Sequence, residues 1–192
     1  MGAWDELDTL IEATSDVSAL DDLIEVCNSD SDFAEIFEPA VQQAEAWKTA
    51  IEEGTEQGLE VTAENLVSME QTEILDTGKH PYAQGILGTS IRKEEHGNGW
   101  LVGTSITHIY PMSVEYGADI FPLRAKALAF QPDLNVWDGE VNEKGFVFLP
   151  YAHISPRPFV APAYERMVSK IEGEGYGVFR SVCDKMTQAI IN

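Results

Sequence analysis

Residues 85–109 read GILGTSIRKEEHGNGWLVGTSITHI. Two runs rich in Ile, Leu, Val and Thr flank HGNG, whose two glycines and asparagine suit a tight reversal, so the stretch predicts a β-hairpin. It decides the fold because the chain before it follows another period. Over roughly the first 75 residues, apolar side chains recur three and four apart, the spacing of helices. Trp4, Leu7 and Ile11 share one face, Leu20, Ile24 and Cys27 a second, and Phe33, Ile36, Phe37, Ala40, Val41, Ala44, Trp47 and Ile51 a third. Pro39 is expected to break or kink the third helix, Gly54 and Gly58 to end it, and a short fourth helix to follow Thr62 through Leu66 to Met69.

Beyond the hairpin, YPMSVEYGA (110–118) predicts a short helical or irregular segment closed by Gly117. AKALAFQP (125–132) and EKGFVFLPYAH (143–153) predict two strands joined by the loop DLNVWDGEVN. In ISPRPFVAPAYERMV (154–168), Pro156 and Pro158 hold their neighbours extended, and Pro162 suits a first helical turn where its missing N–H is not needed. A helix over about 162–172 then presents Val160, Tyr164, Met167, Val168 and Ile171 to the sheet. GEGYG reads as a flexible break before a last amphipathic helix carrying Phe179, Val182, Cys183, Met186, Ala189 and Ile190. The fold class is α+β: a small antiparallel sheet packed by helices and preceded by an acidic helical N-terminal region. Composition divides the chain into residues 1–78, 79–172 and a C-terminal helix over 173–192.

Charge is the strongest compositional signal. The 192 residues hold 33 acidic against 12 basic side chains, a net charge of −21, and residues 1–80 carry 21 of the acids against only Lys48 and Lys79. Nucleic-acid binders cluster Lys and Arg and gain from counterion release, so direct docking on phosphates is disfavoured. The acidic half reads as a solvated helical surface, as a DNA mimic that occupies a basic groove on another protein, or as the surface of a protein working in molar salt, where screening acts over roughly 3 Å. The start lacks the basic stretch and apolar run of a signal peptide, and no run of about 18 apolar residues occurs, so a soluble chain without a membrane span is expected. Cys27 and Cys183 lack metal-ligand spacing and each fits an apolar helical face, which predicts reduced core residues.

Signatures of catalysis are missing: no G-x-S-x-G, P-loop, dinucleotide glycine motif, H-E-x-x-H or C-x-x-C occurs. No enzyme, cofactor or metal is expected. His108 and His153, near the ends of predicted strands, leave open a convergence with Glu115 into a metal or acid–base site. Glu115 has a possible counterpart in Arg157, whose planar guanidinium suits a carboxylate on this chain or a neighbour. Phe159 follows the stiff dipeptide as a fixed apolar anchor, for its own core or for a neighbour's pocket. Trp100 and Trp137 read as core or interface residues.

Gly85, Leu87, Ser90 and Ile91, then Val114, Glu115, Tyr116 and Gly117, then Arg157, Pro158, Phe159, Pro162 and Ala163 form three motifs in one order. In that order they resemble the Hong Kong 97 gene-product-ten family of head-tail joining and tail-completion proteins of tailed phages, over about residues 80–172. Gln84 stands where the family usually has threonine, and the segment between the second and third motifs is long. The resemblance implies a structural virion protein with an α+β fold. Its copies would form a ring at the neck or the head-proximal end of the tail, six-fold at the tail, against connector and tail-tube proteins. The ring would assemble in the host cytoplasm and pass DNA without holding it. It also implies a subunit interface at Glu115, Tyr116, Arg157, Phe159 and Pro162. Together with the charge it points to a tailed virus of a halophilic archaeon.

Overall fold

The computed structural model describes residues 7–29, 34–76, 86–107, 109–132 and 139–191. Trp4, Phe33, Lys79, Gln84, Gly85, His108 and Trp137, all used in the sequence reading, lie outside the described residues. The elements run β1 (Thr9–Ile11), α1 (Ser18–Asn28), α2 (Ala34–Asp76), α3 (Ile86–Ser90), β2 (Ile91–His96), β3 (Gly99–Thr104), α4 (Tyr110–Tyr116), β4 (Ala118–Ile120), β5 (Leu128–Phe130), β6 (Val147–Leu149), β7 (Ala152–Ile154), α5 (Val160–Glu174) and α6 (Val178–Ile191). Helices with small antiparallel sheets make an α+β fold, as the sequence predicts. The chain forms two compact units, one of Met1–Ser105 with Phe159–Asn192 and the other of Ile106–Pro158, which do not coincide with the compositional division at residues 79 and 173. No helix among the described residues is long and apolar enough to cross a membrane.

The first unit is built on α2, a single helix of 43 residues where three segments were expected. Pro39 falls within its first two turns, where the missing N–H removes one intrahelical bond near a frayed end. Gly54 and Gly58 do not end the helix because α6 crosses it there. A Cβ on Gly54 would lie 2.6 Å from Val182 Cα, and one on Gly58 would overlap the backbone of Val178. Packing over the exposed glycine backbone offsets the roughly 1 kcal/mol that each glycine costs in a helix interior. Thr62, one turn further, is buried and donates its hydroxyl to the Gly58 carbonyl at 2.7 Å, so its polar atom is satisfied inside the helix. GEGYG is likewise a defined closure: Gly175 adopts φ 59 and its N–H donates to Ile171 O at 3.1 Å, a left-handed helix end.

Ala63 and Leu66 of α2, Val102 of β3, and Ala163 and Met167 of α5 form the buried core, flanked by Ile11, Val67, Met69, Trp100 and Tyr176. The hairpin is where the sequence placed it. β2 and β3 pair antiparallel from Ile91↔Thr104 to His96↔Gly99, and Gly97 turns the chain at φ 59. Its expected first strand begins later, because Ile86–Ser90 is a helical turn that buries Leu87 and Ser90. The first expected helix is corrected more strongly. Thr9–Ile11 is a strand on the outer edge of β3, with Leu10 opposite Leu101. A segment this short satisfies a helical spacing by chance, whereas an edge strand pairs the backbone of β3, which water would otherwise have to solvate.

Basic residues of this unit reach the acids of α2 from the elements packed on it. Lys93 Nζ lies 2.8 Å from Glu60 and 3.0 Å from Glu64, Lys185 lies 2.8 Å from Glu53, and Arg166 lies 2.5 Å from Glu73. These are surface pairs worth about 0–1 kcal/mol each and weakened by salt. Cys27 is buried as expected, but Cys183 is exposed, since α6 turns its Gly-facing side rather than this position toward α2.

The second unit holds α4 and two ribbons. β4 pairs with β7 (Ala118↔Ile154 to Ile120↔Ala152), and β5 pairs with β6 (Leu128↔Leu149 to Phe130↔Val147). EKGFVFLPYAH is therefore two strands in different ribbons; Pro150 has no N–H for a continuous ladder.

The α2–α6 crossing predicts opposite outcomes for two glycine substitutions. Gly58→Ala should destabilise by about 1–3 kcal/mol or more, because its methyl meets backbone that cannot rotate away. Gly173→Ala, in α5 with nothing within 4 Å of the new Cβ, should be neutral or stabilising by about 0.5–1 kcal/mol. Urea unfolding midpoints measure both, and equal midpoints would remove the close crossing as the reason for Gly58.

Candidate functional site

The second motif and the first two residues of the third, Arg157 and Pro158, lie within the second unit. α4 starts at Tyr110 with Pro111 in its first turn, and Ser113 gives both its N–H (2.9 Å) and its hydroxyl (3.0 Å) to Ile109 O. The helix buries Ser113, Val114 and Glu115 and turns Tyr116 outward, 58% exposed. Gly117 ends it at φ 77, ψ 165. A Cβ there would lie 2.8 Å from Ile154 O and 2.9 Å from Pro156 Cδ, so only glycine admits the proline strap. One step on, the Arg157 N–H donates to Val114 O at 2.7 Å. The proline-held backbone thus grips the end of α4.

The five expected interface residues fall into different classes. Tyr116 is open, Arg157 and Pro162 are half-buried, and Glu115 (4%) and Phe159 (1%) are buried in the chain's own structure. Of the two places left open for Phe159, its own core and a neighbour's pocket, the structure shows the first: it stands at the head of α5 with 1% of its surface exposed. Burial raises the Tyr110 phenol above its ordinary value of 10.0, and the positive charge of Arg157 opposes this with a smaller effect.

The suggested convergence of His108, His153 and Glu115 has one member outside the described residues. His153 Nδ1 lies instead 2.8 Å from Asp119 Oδ1 across the β4–β7 ribbon, with both side chains exposed. Among the described residues, no group of three or more His, Cys, Asp or Glu is placed to hold a metal ion.

Residues that the sequence reading passed over dominate the exposed apolar surface of this unit. Continuing the β4–β7 register one step beyond Ile120↔Ala152 sets Phe121 opposite Tyr151. Their rings stack at 5.8 Å with planes 28° apart, while 62% and 50% of the two residues remain exposed. Alternate pairs of a ladder share a face, so this aromatic pair stands beside Asp119–His153. Leu123 and Phe148 are exposed as well. The local signal was an aromatic residue next to proline in DIFP, read only as part of a long intervening segment, and in LPYAH, read only as the end of a strand.

Two concave features of the first unit differ in character. One is an apolar groove of about 480 Å³ lined by Ile11, Leu59, Tyr176, Val178, Phe179 and Val182, with Glu12 its one charged wall. The other is a polar cleft of about 500 Å³ walled by Glu52, Glu56, Glu95, Thr55, Asn98 and Trp100. Compared with protein-family models, with curated proteins and with solved structures, the chain matches none.

Two measurements test the grip on α4. Absorbance titration of the wild type against Tyr110→Phe should show the missing phenol ionising above pH 10.0. A raised phenol favours the neutral form, so its contribution to stability is complete below that pH and is lost as pH climbs through the folded value. A midpoint at or below 10.0 would contradict its burial. Gly117→Ala should loosen the second unit, read as faster limited proteolysis within residues 106–158; an unchanged cleavage rate would deny the clash with Ile154 and Pro156.

Proposed function

We propose that this chain is a structural, non-catalytic virion protein whose copies close into a ring at the head–tail junction or the head-proximal tail end of a tailed virus. The observation that carries the reading is the joining of the second and third motifs. Val114–Gly117 and Arg157–Pro158 lie far apart in sequence, yet Arg157 N–H binds Val114 O, and Pro156, just before the third motif, fills the space left by Gly117. These motif residues share one structural task, to hold a stiff segment in register, and a subunit that must present fixed surfaces to its neighbours needs that rigidity. The exposed apolar residues of the second unit, Leu123 at 97% and Phe121 at 62% among them, support association, because large apolar patches on a chain mark contact surfaces. Six-fold closure at a tail, contact with connector and tail-tube proteins, and a halophilic archaeal host belong to the same proposal. The acidic first unit suits a ring that lets DNA slide past.

The reading as an acidic inhibitor is less well supported. Glu53, Glu60, Glu64 and Glu73 of α2 are paired with Lys and Arg of the same chain, which lowers what they offer to a basic partner. The acidic half is also not separable, since α2 shares its core with β3 and α5.

Light scattering of the purified protein in molar salt, with negative-stain images of the same fraction, tests the ring. Closed rings of one countable symmetry are expected. A monodisperse monomer from low to molar salt, at all protein concentrations, would count against the proposal.

A further inference from the structure

We propose that copies join head to tail, the Phe121–Tyr151 pair of one copy seating in the apolar groove at the α5–α6 turn of the next. The inference rests on the ring reading and names the two surfaces that such a ring would use. A closed ring with rotational symmetry needs two different, complementary surfaces on every subunit. Among the described residues the chain carries both an exposed aromatic pair that can serve as the raised surface and an apolar groove that can serve as the hollow one. The raised one is a stacked aromatic pair on a two-stranded ribbon, and a lone two-stranded ribbon is marginal in water unless something packs on it. The hollow one, about 480 Å³, is in the size range of cavities that enclose ring-sized apolar groups. Its rim residue Phe179 is 69% exposed, and Ile171 beside it 41%. Both surfaces leave aromatic rings in water, which is the residue type that anchors protein contacts.

Charge selects this pairing over its competitor. The unit holding the groove carries 27 acidic and eight basic residues, and the unit holding the aromatic pair carries six and four. Two acidic units brought face to face would repel strongly, whereas a nearly neutral unit against an acidic one is repelled far less. The groove itself has a single charged wall residue, Glu12, and the carboxylate that stands beside the aromatic pair, Asp119, faces its own His153 at 2.8 Å.

The test uses two full-length variants, both altered only at exposed side chains. Phe121→Ala with Tyr151→Ala removes the raised surface and leaves the groove; Phe179→Glu blocks the groove and leaves the raised surface. Each alone should lose self-association by roughly tenfold or more, the loss typical of an aromatic anchor. An equimolar mixture should form 1:1 dimers by light scattering in molar salt, because one intact contact remains. Urea midpoints equal to that of the wild type establish that both variants are folded. Rings that persist in either variant would overturn the inference and leave the ring reading standing. A mixture no more associated than its components, while the wild type forms rings, would also overturn it. A wild type that stays monomeric together with a monomeric mixture would remove both.

Discussion

At Gly54 and Gly58 there is no room between α2 and α6 for one more carbon atom. That contact sets the geometry of the first unit. Helices that meet over glycine approach with backbone against backbone, closing out water and multiplying short-range dispersion contacts. The same approach hides the glycine backbone that would otherwise fray, and so it lets α2 run through as one helix of 43 residues. Only a helix of that length offers sites to α5 and the β1–β3–β2 sheet while also carrying α6. The turn that returns the chain from α5 to α6 is fitted to the same place, since a Cβ at Gly177 would overlap the Thr62 hydroxyl.

The charge of the molecule follows the division into units. Carboxylates crowd the first unit, and Lys185, Arg166 and Lys93 are placed where α6, α5 and β2 pass α2, with Lys93 also lying 4.3 Å over the Trp100 ring. Burial lowers the Lys93 pKa, but hydrogen bonds to Glu60 and Glu64 and their charges outweigh it, and the net effect is upward. The second unit is nearly neutral, while both units expose aromatic and aliphatic side chains, Phe121 and Leu123 in the second and Ile36 and Phe179 in the first among them.

The proline strap is held in place by its contacts within the second unit. Pro156 is wedged against Gly117, the Arg157 backbone is bound to α4, and two residues later Phe159 is buried at the head of α5. The stiffness visible in SPRPF serves first to anchor the strap within the chain. The residues expected at a subunit contact are in large part the ones that hold the structure behind it.

Much of this was legible in the sequence. The hairpin was, because HGNG between two β-branched runs encodes its own reversal at Gly97. So were α1, α4 with its Gly117 end, α5, α6 and the α+β class, each set by apolar spacing or turn chemistry within a few residues. Three matters were decided only by tertiary structure. Glycine inside α2 reads as a stop until a crossing helix removes it from water. Three-residue strands such as β1 and β4 carry too little pattern to be distinguished from a helical turn, and exist because a partner strand lies beside them. The direction of a side chain follows the same logic: nothing local to Phe159 or Phe121 tells that the first is buried and the second open. Local pattern determined which segments become helix or strand, and packing determined which of their residues meet water, because burial belongs to the pair of surfaces and not to either one.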